Sequence, residues 1–363
     1  MSLGKVIRYI RPAENNPRNS EGAFYTFPDG RIIFIYSRYK GTSFADGATA
    51  DLYMLESLDG GETFTDVGTV FTCEELGGSN IMSVSLLPMR DGSVGLFFIK
   101  KFSNNTDTIM LSKSFDGRVW SEPKRIVAEE GYYVLNNDRV IRLSDGRIVM
   151  PYSYHWKHDV LTKNGNVLYY EPGTIFVYGS DDDENFYRLS QGYTINNSKA
   201  GCQEPLLIQH KDGRIECYIR TDLGYQLKMT AKDDTLLEWT EPEKTNFVSL
   251  EAPMSMKYID DDTLLAIWST TRDDVDPDYF VWKKNRISAG RSYFVYALSH
   301  DGGKTFSEPR ELEFDLTRGF CYTAIHVVGD SVLLAYCSGG GGEELCCLNR
   351  ITIRKIKKSE FLG

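Results

Sequence analysis

The chain has 363 residues, 41% hydrophobic and 13% aromatic, which is enough apolar side chain for one large β domain or two smaller ones. A net charge of −10 argues against nucleic acid or an anionic membrane as partner, although cations gathered in one cleft would still hold an anion. No apolar run reaches the ~20 residues of a membrane span. The seven cysteines show neither CxxC nor zinc spacing and are expected as buried thiols. No signal peptide is evident. The opening Met1-Ser-Leu-Gly4 is compatible with a leader that replaced one, so a soluble protein is expected and a secreted or periplasmic location stays open.

In chain order, two kinds of turn alternate. The first is an Asp-Gly hairpin between apolar runs: Pro28-Asp-Gly-Arg31, Arg90-Asp-Gly-Ser93, Ser144-Asp-Gly-Arg147 and Lys211-Asp-Gly-Arg214, with degenerate versions at Asp260 and Gly329. Most lead straight into a buried-looking strand such as Ile32–Tyr36, Val94–Phe98 or Val332–Tyr336. The second kind is Ser-x-Asp-x-Gly-x-Thr-aromatic, intact at Ser57–Phe64 and Ser299–Phe306 and degraded near Ser114, Ser180 and Ala231. Its Asp can bond the turn's own N–H groups, and Gly takes the position with φ > 0. Each unit therefore reads strand, hairpin, strand, crossover, strand, Asp turn, strand. Six such units form a repeat. The predicted fold is all-β: one six-bladed β-propeller of four-stranded antiparallel blades spanning 1–363. Cys347–Ile353 is expected as the last strand, with Lys5–Tyr9 closing the ring. A pair of β-sandwiches would not explain the alternation. The charge run Lys355–Lys358 is expected as a solvated end.

In such a meander both tight turns lie on one face. Residues 8–11 positions from a turn reach the opposite rim at about 3.3 Å per residue. Arg18, Asp46, Glu204, Arg220, Arg291 and Tyr322 all fall at those offsets. Each alone could be a strand-end side chain; as a set they converge on the axial mouth.

At these residues the sequence resembles the sialidase (neuraminidase) superfamily, whose six-bladed propellers carry such Asp-box (BNR) repeats. Glu204-Pro-Leu-Leu-Ile through Arg220 resembles the segment with that family's catalytic Glu and second arginine. Gly290-Arg-Ser-Tyr resembles the third-arginine strand, Tyr322-Thr-Ala-Ile the nucleophile segment, and Asp46 matches the acid/base aspartate. The family's Arg-Ile-Pro is replaced by Asn16-Pro-Arg18-Asn, which leaves Arg38 as the fallback for the first arginine. The stretch Asn136–Arg142 is an added charged element at the third blade's rim, so Asp138 and Arg139 join the substrate-binding candidates.

The resemblance implies a retaining exo-glycosidase of the exo-α-sialidase type, acting on a sialylated or related acidic glycan. Three guanidiniums suit a planar carboxylate better than lysines would. A neutral tyrosine avoids the repulsion that a carboxylate nucleophile would meet beside the substrate's own anion. Glu204 would take the Tyr322 proton, and Asp46 would protonate the leaving oxygen and then activate water. No cofactor or metal is implied. His155 and His158 could be read as a metal pair, but an aromatic rim loop with Trp156, Tyr132 and Tyr133 is the preferred reading. The alternatives are a glycan-binding propeller with a partial site and a purely structural one. A binding module has no need of both Glu204 and Tyr322.

Overall fold

A computed structural model describes residues 3–129, 131–162, 165–281, 288–341 and 346–362, with 157–162 and 165–170 described by backbone alone. Six antiparallel blades surround one axis. Blade 1 is Asn19–Thr26, Ile32–Tyr39, Ala50–Ser57 and Thr65–Phe71; blade 2 is Asn80–Pro88, Val94–Lys101, Asp107–Ser114 and Lys124–Arg125. Blade 4 runs from Gln203–Gln209 to Glu243–Val248 and blade 5 from Ser255–Tyr258 to Arg310–Phe314. Blade 6 is Cys321–Val328, Ser331–Cys337 and Ile351–Lys357, closed by the N-terminal strand Lys5–Ile10. Ring closure thus follows the predicted order, but the strand after Cys347 begins four residues later than expected. Lys355 is not solvated as predicted: its Nζ donates to Gly60 O at 2.9 Å and to Glu62 Oε1 at 2.6 Å, tying blade 6 to the first Asp turn.

Blade 3 departs from the four-strand plan. Its innermost strand is split into Tyr132–Val134 and Ile141–Arg142, both paired with Ile148–His155. Residues 135–140 leave the sheet between them. A separate hairpin, Lys157–Thr162 with Gly165–Tyr170, rises between this blade's second and third long strands.

The Asp turns are built as the sequence dictates. In the first, Asp59 Oδ1 accepts from Thr63 N at 2.9 Å, Asp59 Oδ2 accepts from Thr63 Oγ1 at 2.6 Å, and Gly61 N donates to Ser57 Oγ at 2.8 Å. Asp301, Thr305, Gly303 and Ser299 repeat this arrangement. Gly61 has φ 86°, and a Cβ there would meet Leu333 of blade 6 at 2.9 Å, so both conformation and packing require glycine. The core lies between blades. Ile33, Ile35 and Met54 of blade 1 pack on Leu86, Leu96 and Phe98 of blade 2, and comparable clusters recur around the ring. Each sheet buries both faces, which is why its central strands read as unbroken apolar runs. Among the described residues no helix is long and apolar enough to cross a membrane.

Candidate active site

All six blades contribute to a cavity of about 860 Å³ at the axial mouth, on the face opposite the tight turns. That volume falls within the range of small-molecule sites. One device, repeated around the ring, shapes it. Glu21, Ser83, Asp138, Glu204 and Tyr322 all have positive φ, at 59°, 63°, 56°, 40° and 58°. In four of them the pairing with the next strand shifts at that point: between Ser20 and Ala23, Met82 and Ser85, Gln203 and Leu206, and Cys321 and Ala324. These are β-bulges on innermost strands, and a bulge re-aims a side chain. Left-handed backbone at non-glycine residues costs about 1–3 kcal/mol each and tends to gather at functional sites. Four of the five, all but Asp138, line the cavity.

At the cavity's blade 4 and blade 6 wall, Tyr322 donates its O–H to Glu204 Oε1 at 2.9 Å. Glu204 Oε2 takes Arg220 Nη1 at 2.5 Å, and Arg220 also faces Glu251 at 3.4 Å. The Arg291 guanidinium lies 5.6 Å over the Tyr322 ring; it donates to Cys321 Sγ at 3.1 Å and to Glu251 O at 2.8 Å. Burial and the Glu204 charge push the Tyr322 phenol well above its usual range, against the pull of Arg220 and Arg291. The resting phenol is therefore neutral, with its proton already aimed at an acceptor.

Across the cavity Arg18 is enclosed in the wall, 1% exposed. It donates to Ser20 Oγ at 3.0 Å, Glu21 Oε1 at 2.9 Å, Phe44 O at 3.2 Å and Asp46 Oδ1 at 2.5 Å, with its guanidinium 4.4 Å over the Tyr39 ring. Burial pushes the Glu21 carboxyl up, opposed by Arg18 and by the Ser83 hydroxyl donating at 2.6 Å. Desolvation at the mouth works to raise the Asp46 carboxyl, but Arg18, Lys101 and Arg291 outweigh it and hold it at about 2. In this resting arrangement Asp46 is an anion engaged by Arg18.

The structure thus places Asp46, Glu204, Arg220, Arg291 and Tyr322 at the wall of one cavity, with Arg18 buried and bonded to Glu21 and Asp46 of that wall. Arg38, Asp138 and Arg139 are not at its wall. Arg38 pairs with Asn19 and lies 4.6 Å over the Tyr53 ring. The physical reason is register. Arg220 stands opposite Gln203, the residue before the first φ > 0 position of its bulge; the matching residue in blade 1 is Ser37, opposite Ser20. Arg38 is one residue further on, and with a side-chain period of two it points to the other face. The stretch 136–142 is not a rim element either. It enters the axis beneath the site. Asp138 accepts from Lys257 Nζ at 2.9 and 3.1 Å and from Ile325 N at 3.1 Å; Arg139 donates to Met254 O at 2.8 Å, and burial pulls its pKa down to about 10. These residues join blade 3 to blades 5 and 6. Replacing Asp138 with Ala strands the Ile325 N–H and leaves Lys257 with the Ile325 carbonyl but without its carboxylate partner. Lys257 still reaches water, so the expected loss is about 2 kcal/mol, read as a lower urea midpoint at unchanged slope.

Tyr132, Tyr133 and His155 line the cavity. Tyr133 also packs edge-on against Tyr152, with ring centroids 5.0 Å apart. Trp156 is 63% exposed. His155 Nδ1 lies 3.0 Å from Glu171 O and Nε2 3.2 Å from Ser153 Oγ, so its ring is engaged by neighbours; the His158 side chain lies outside the described residues. Among the described residues no His, Cys, Asp and Glu grouping suits a metal ion. Sequence reasoning missed Glu21, Ser83, Lys101 and Glu251. A signal existed for the first two. Glu21 and Ser83 each precede an Asp-Gly turn, at Asp29 and Asp91, by eight residues, as Glu204 precedes Asp212 and Tyr322 precedes Asp330.

The BNR repeat-like domain family matches residues 75–334, most of the chain. The chain belongs to the BNR repeat-like family. Its fold is that of the sialidase superfamily. The K499G mutant of the NanB sialidase from Streptococcus pneumoniae aligns over 99% of this chain and 71% of its own, at 11% identity and a TM-score of 0.69. The intramolecular trans-sialidase from Ruminococcus gnavus, in complex with oseltamivir carboxylate, aligns over 98% and 97%, at 12% identity and a TM-score of 0.66. The α-L-arabinanase of Penicillium chrysogenum, complexed with arabinobiose, aligns over 98% of both chains at 13% identity and a TM-score of 0.65. No curated protein sequence matches. At these identities the structural likeness speaks for a glycoside-hydrolase-like propeller and not for one substrate.

Proposed function

We propose that this BNR-repeat propeller is a retaining exo-glycosidase of the sialidase type, which releases a terminal sialic acid or related nonulosonic acid from glycoconjugates. The observation that carries this reading is the chain Arg220–Glu204–Tyr322, at 2.5 and 2.9 Å, with Arg291 over the phenol ring. A glycan-binding surface has no use for a phenol poised on a carboxylate. A nucleophile with an oriented base does.

In the first step the Tyr322 oxygen attacks the anomeric carbon as its proton passes to Glu204. Asp46, released from Arg18 and protonated from solvent, gives that proton to the leaving oxygen as the glycosidic C–O bond breaks. Arg220 and Arg291 hold the sugar's carboxylate beside the reacting carbon. In the second step Asp46 takes a proton from water, the water oxygen attacks the same carbon, and Tyr322 departs with the proton that Glu204 kept. Two displacements at one carbon give retention. The bonds that Arg18 and Arg220 already make to protein carboxylates favour one other reading, a glycan-binding propeller without turnover.

The deciding experiment follows an aryl α-sialoside by proton NMR with the wild-type protein. Release of the α-anomer first, before mutarotation, is the expected result. Release of the β-anomer first would remove Tyr322 as nucleophile. Binding of the free sugar acid without any release would leave the glycan-binding reading in its place.

A further inference from the structure

Asp46 sits in the loop 40–49, which joins the second and third strands of blade 1 across the upper face. The loop has little regular structure and its side chains are largely exposed. Such a segment is ordinarily mobile. Here three side chains bind its backbone carbonyls. Arg18 Nη1 donates to Phe44 O at 3.2 Å, Lys101 Nζ to Asp46 O at 3.0 Å, and Asn80 Nδ2 to Ala48 O at 2.5 Å. Lys101 and Asn80 both come from blade 2, where they stand opposite each other. Gly47 is seated on the same blade: a Cβ there would come within 2.5 Å of Asn104 Oδ1.

Lys101 is the unusual member. It is 5% exposed and lines the cavity. A buried lysine is ordinarily paired with a carboxylate. Among the described residues no acidic side chain forms an ion pair with Lys101; its partners are the Asp46 carbonyl and the Tyr132 hydroxyl at 3.4 Å. The Asp46 carboxyl, by contrast, forms its ion pair with Arg18, and its side chain is 70% exposed. The backbone of the acid is thus fixed while its carboxyl remains free to turn. A general acid must carry a proton, and a carboxylate on a guanidinium does not. The substrate's own carboxylate is the anion that can replace it on Arg18. Arg18 already spends most of its N–H groups on Ser20, Glu21, Phe44 and Asp46, so it can serve the substrate only after that exchange.

Resting on the glycosidase reading above, we propose that Lys101 is a positioning residue for the general acid: it pins the Asp46 backbone to blade 2 while the Asp46 carboxyl leaves Arg18 for the glycosidic oxygen. In the first step, therefore, the effect of Lys101 depends on how much protonation the leaving group needs. An aryl aglycone leaves as a stable phenolate and needs little; a sugar aglycone leaves as an alkoxide and needs it fully.

The test compares Lys101→Met with the full-length wild type on a 4-methylumbelliferyl α-sialoside and on a sialyl galactoside. The expected result is a kcat/KM, which reports the first step alone, at least about thirtyfold lower on the galactoside, a fall several times smaller on the aryl substrate, and faster amide hydrogen exchange across 40–49. Lys101→Arg, which keeps a donor, recovers part of the loss. Equal falls on both substrates, or no fall on either, would overturn the proposal. So would unchanged exchange across the loop. Failure of the underlying reading is separate and visible: the wild type then releases no sugar acid even from the aryl substrate.

Discussion

Tyr322→Phe is expected to lower kcat on an aryl sialoside about a thousandfold or more while leaving the thermal midpoint within a degree or two. The size follows from the role. Removing a nucleophile abolishes the covalent route and leaves only what binding and the acid contribute. The structural argument for an intact fold is equally specific. Phe keeps the aromatic ring beneath Arg291 and tolerates the same backbone strain, and what disappears is one hydroxyl bonded to Glu204 Oε1 at 2.9 Å. Glu204 faces the cavity, so water can replace that donor. A variant retaining more than a tenth of wild-type kcat would show that the phenol does not form the covalent bond. A variant that unfolds would say nothing of the kind, so the midpoint is measured on the same preparation.

The second large effect is on binding. Arg291→Lys is expected to weaken an unsaturated 2-deoxy sialic acid about a hundredfold in Kd, equivalent to ~2.7 kcal/mol. Lysine keeps the charge but loses the planar fork, and charge-assisted bidentate bonds are among the strongest a carboxylate makes. Arg291 is also fixed in place. It bonds Cys321 Sγ and Glu251 O and covers the Tyr322 ring, so its orientation is set before ligand arrives. A lysine ammonium would have no such rigid seat and would lose conformational freedom on binding. Titration calorimetry at fixed salt measures the change. An affinity within threefold of wild type would mean that the sugar's carboxylate is held by the other cations at the site, Arg18, Lys101 and Arg220.

Several site residues were legible because the repeat supplies a ruler. Counting from each tight turn brings Glu204, Arg220, Arg291 and Tyr322 to one rim, and the structure places all four around the cavity. The same count brings Glu21 and Ser83 to that rim, yet nothing in residue type drew attention to a serine or to one more glutamate. Arg38 shows where the ruler ends. Its distance from the turn is right, but a bulge at Glu21 fixes which alternate residue faces inward, and bulges leave no dependable mark in sequence. Asp138 and Arg139 show a second limit. A charged run reads as surface, whereas here it is drawn into the axis because Lys257 and the backbone groups of Met254 and Ile325 are there to receive it.

The sequence by itself determined the number of blades, the alternation of turns and the face on which polar residues emerge, because these depend on local turn chemistry and on a period of two. Only the tertiary structure decided which of those residues meet. The pairing of Tyr322 with Glu204, the grip of Arg18 on Asp46 and the hold of Lys101 on the acid loop join different blades or, for Arg18 and Asp46, segments of blade 1 separated by two strands. Such contacts are set by how far each bulge turns a side chain and how closely neighbouring sheets pack. Neither quantity is encoded in any one stretch of chain.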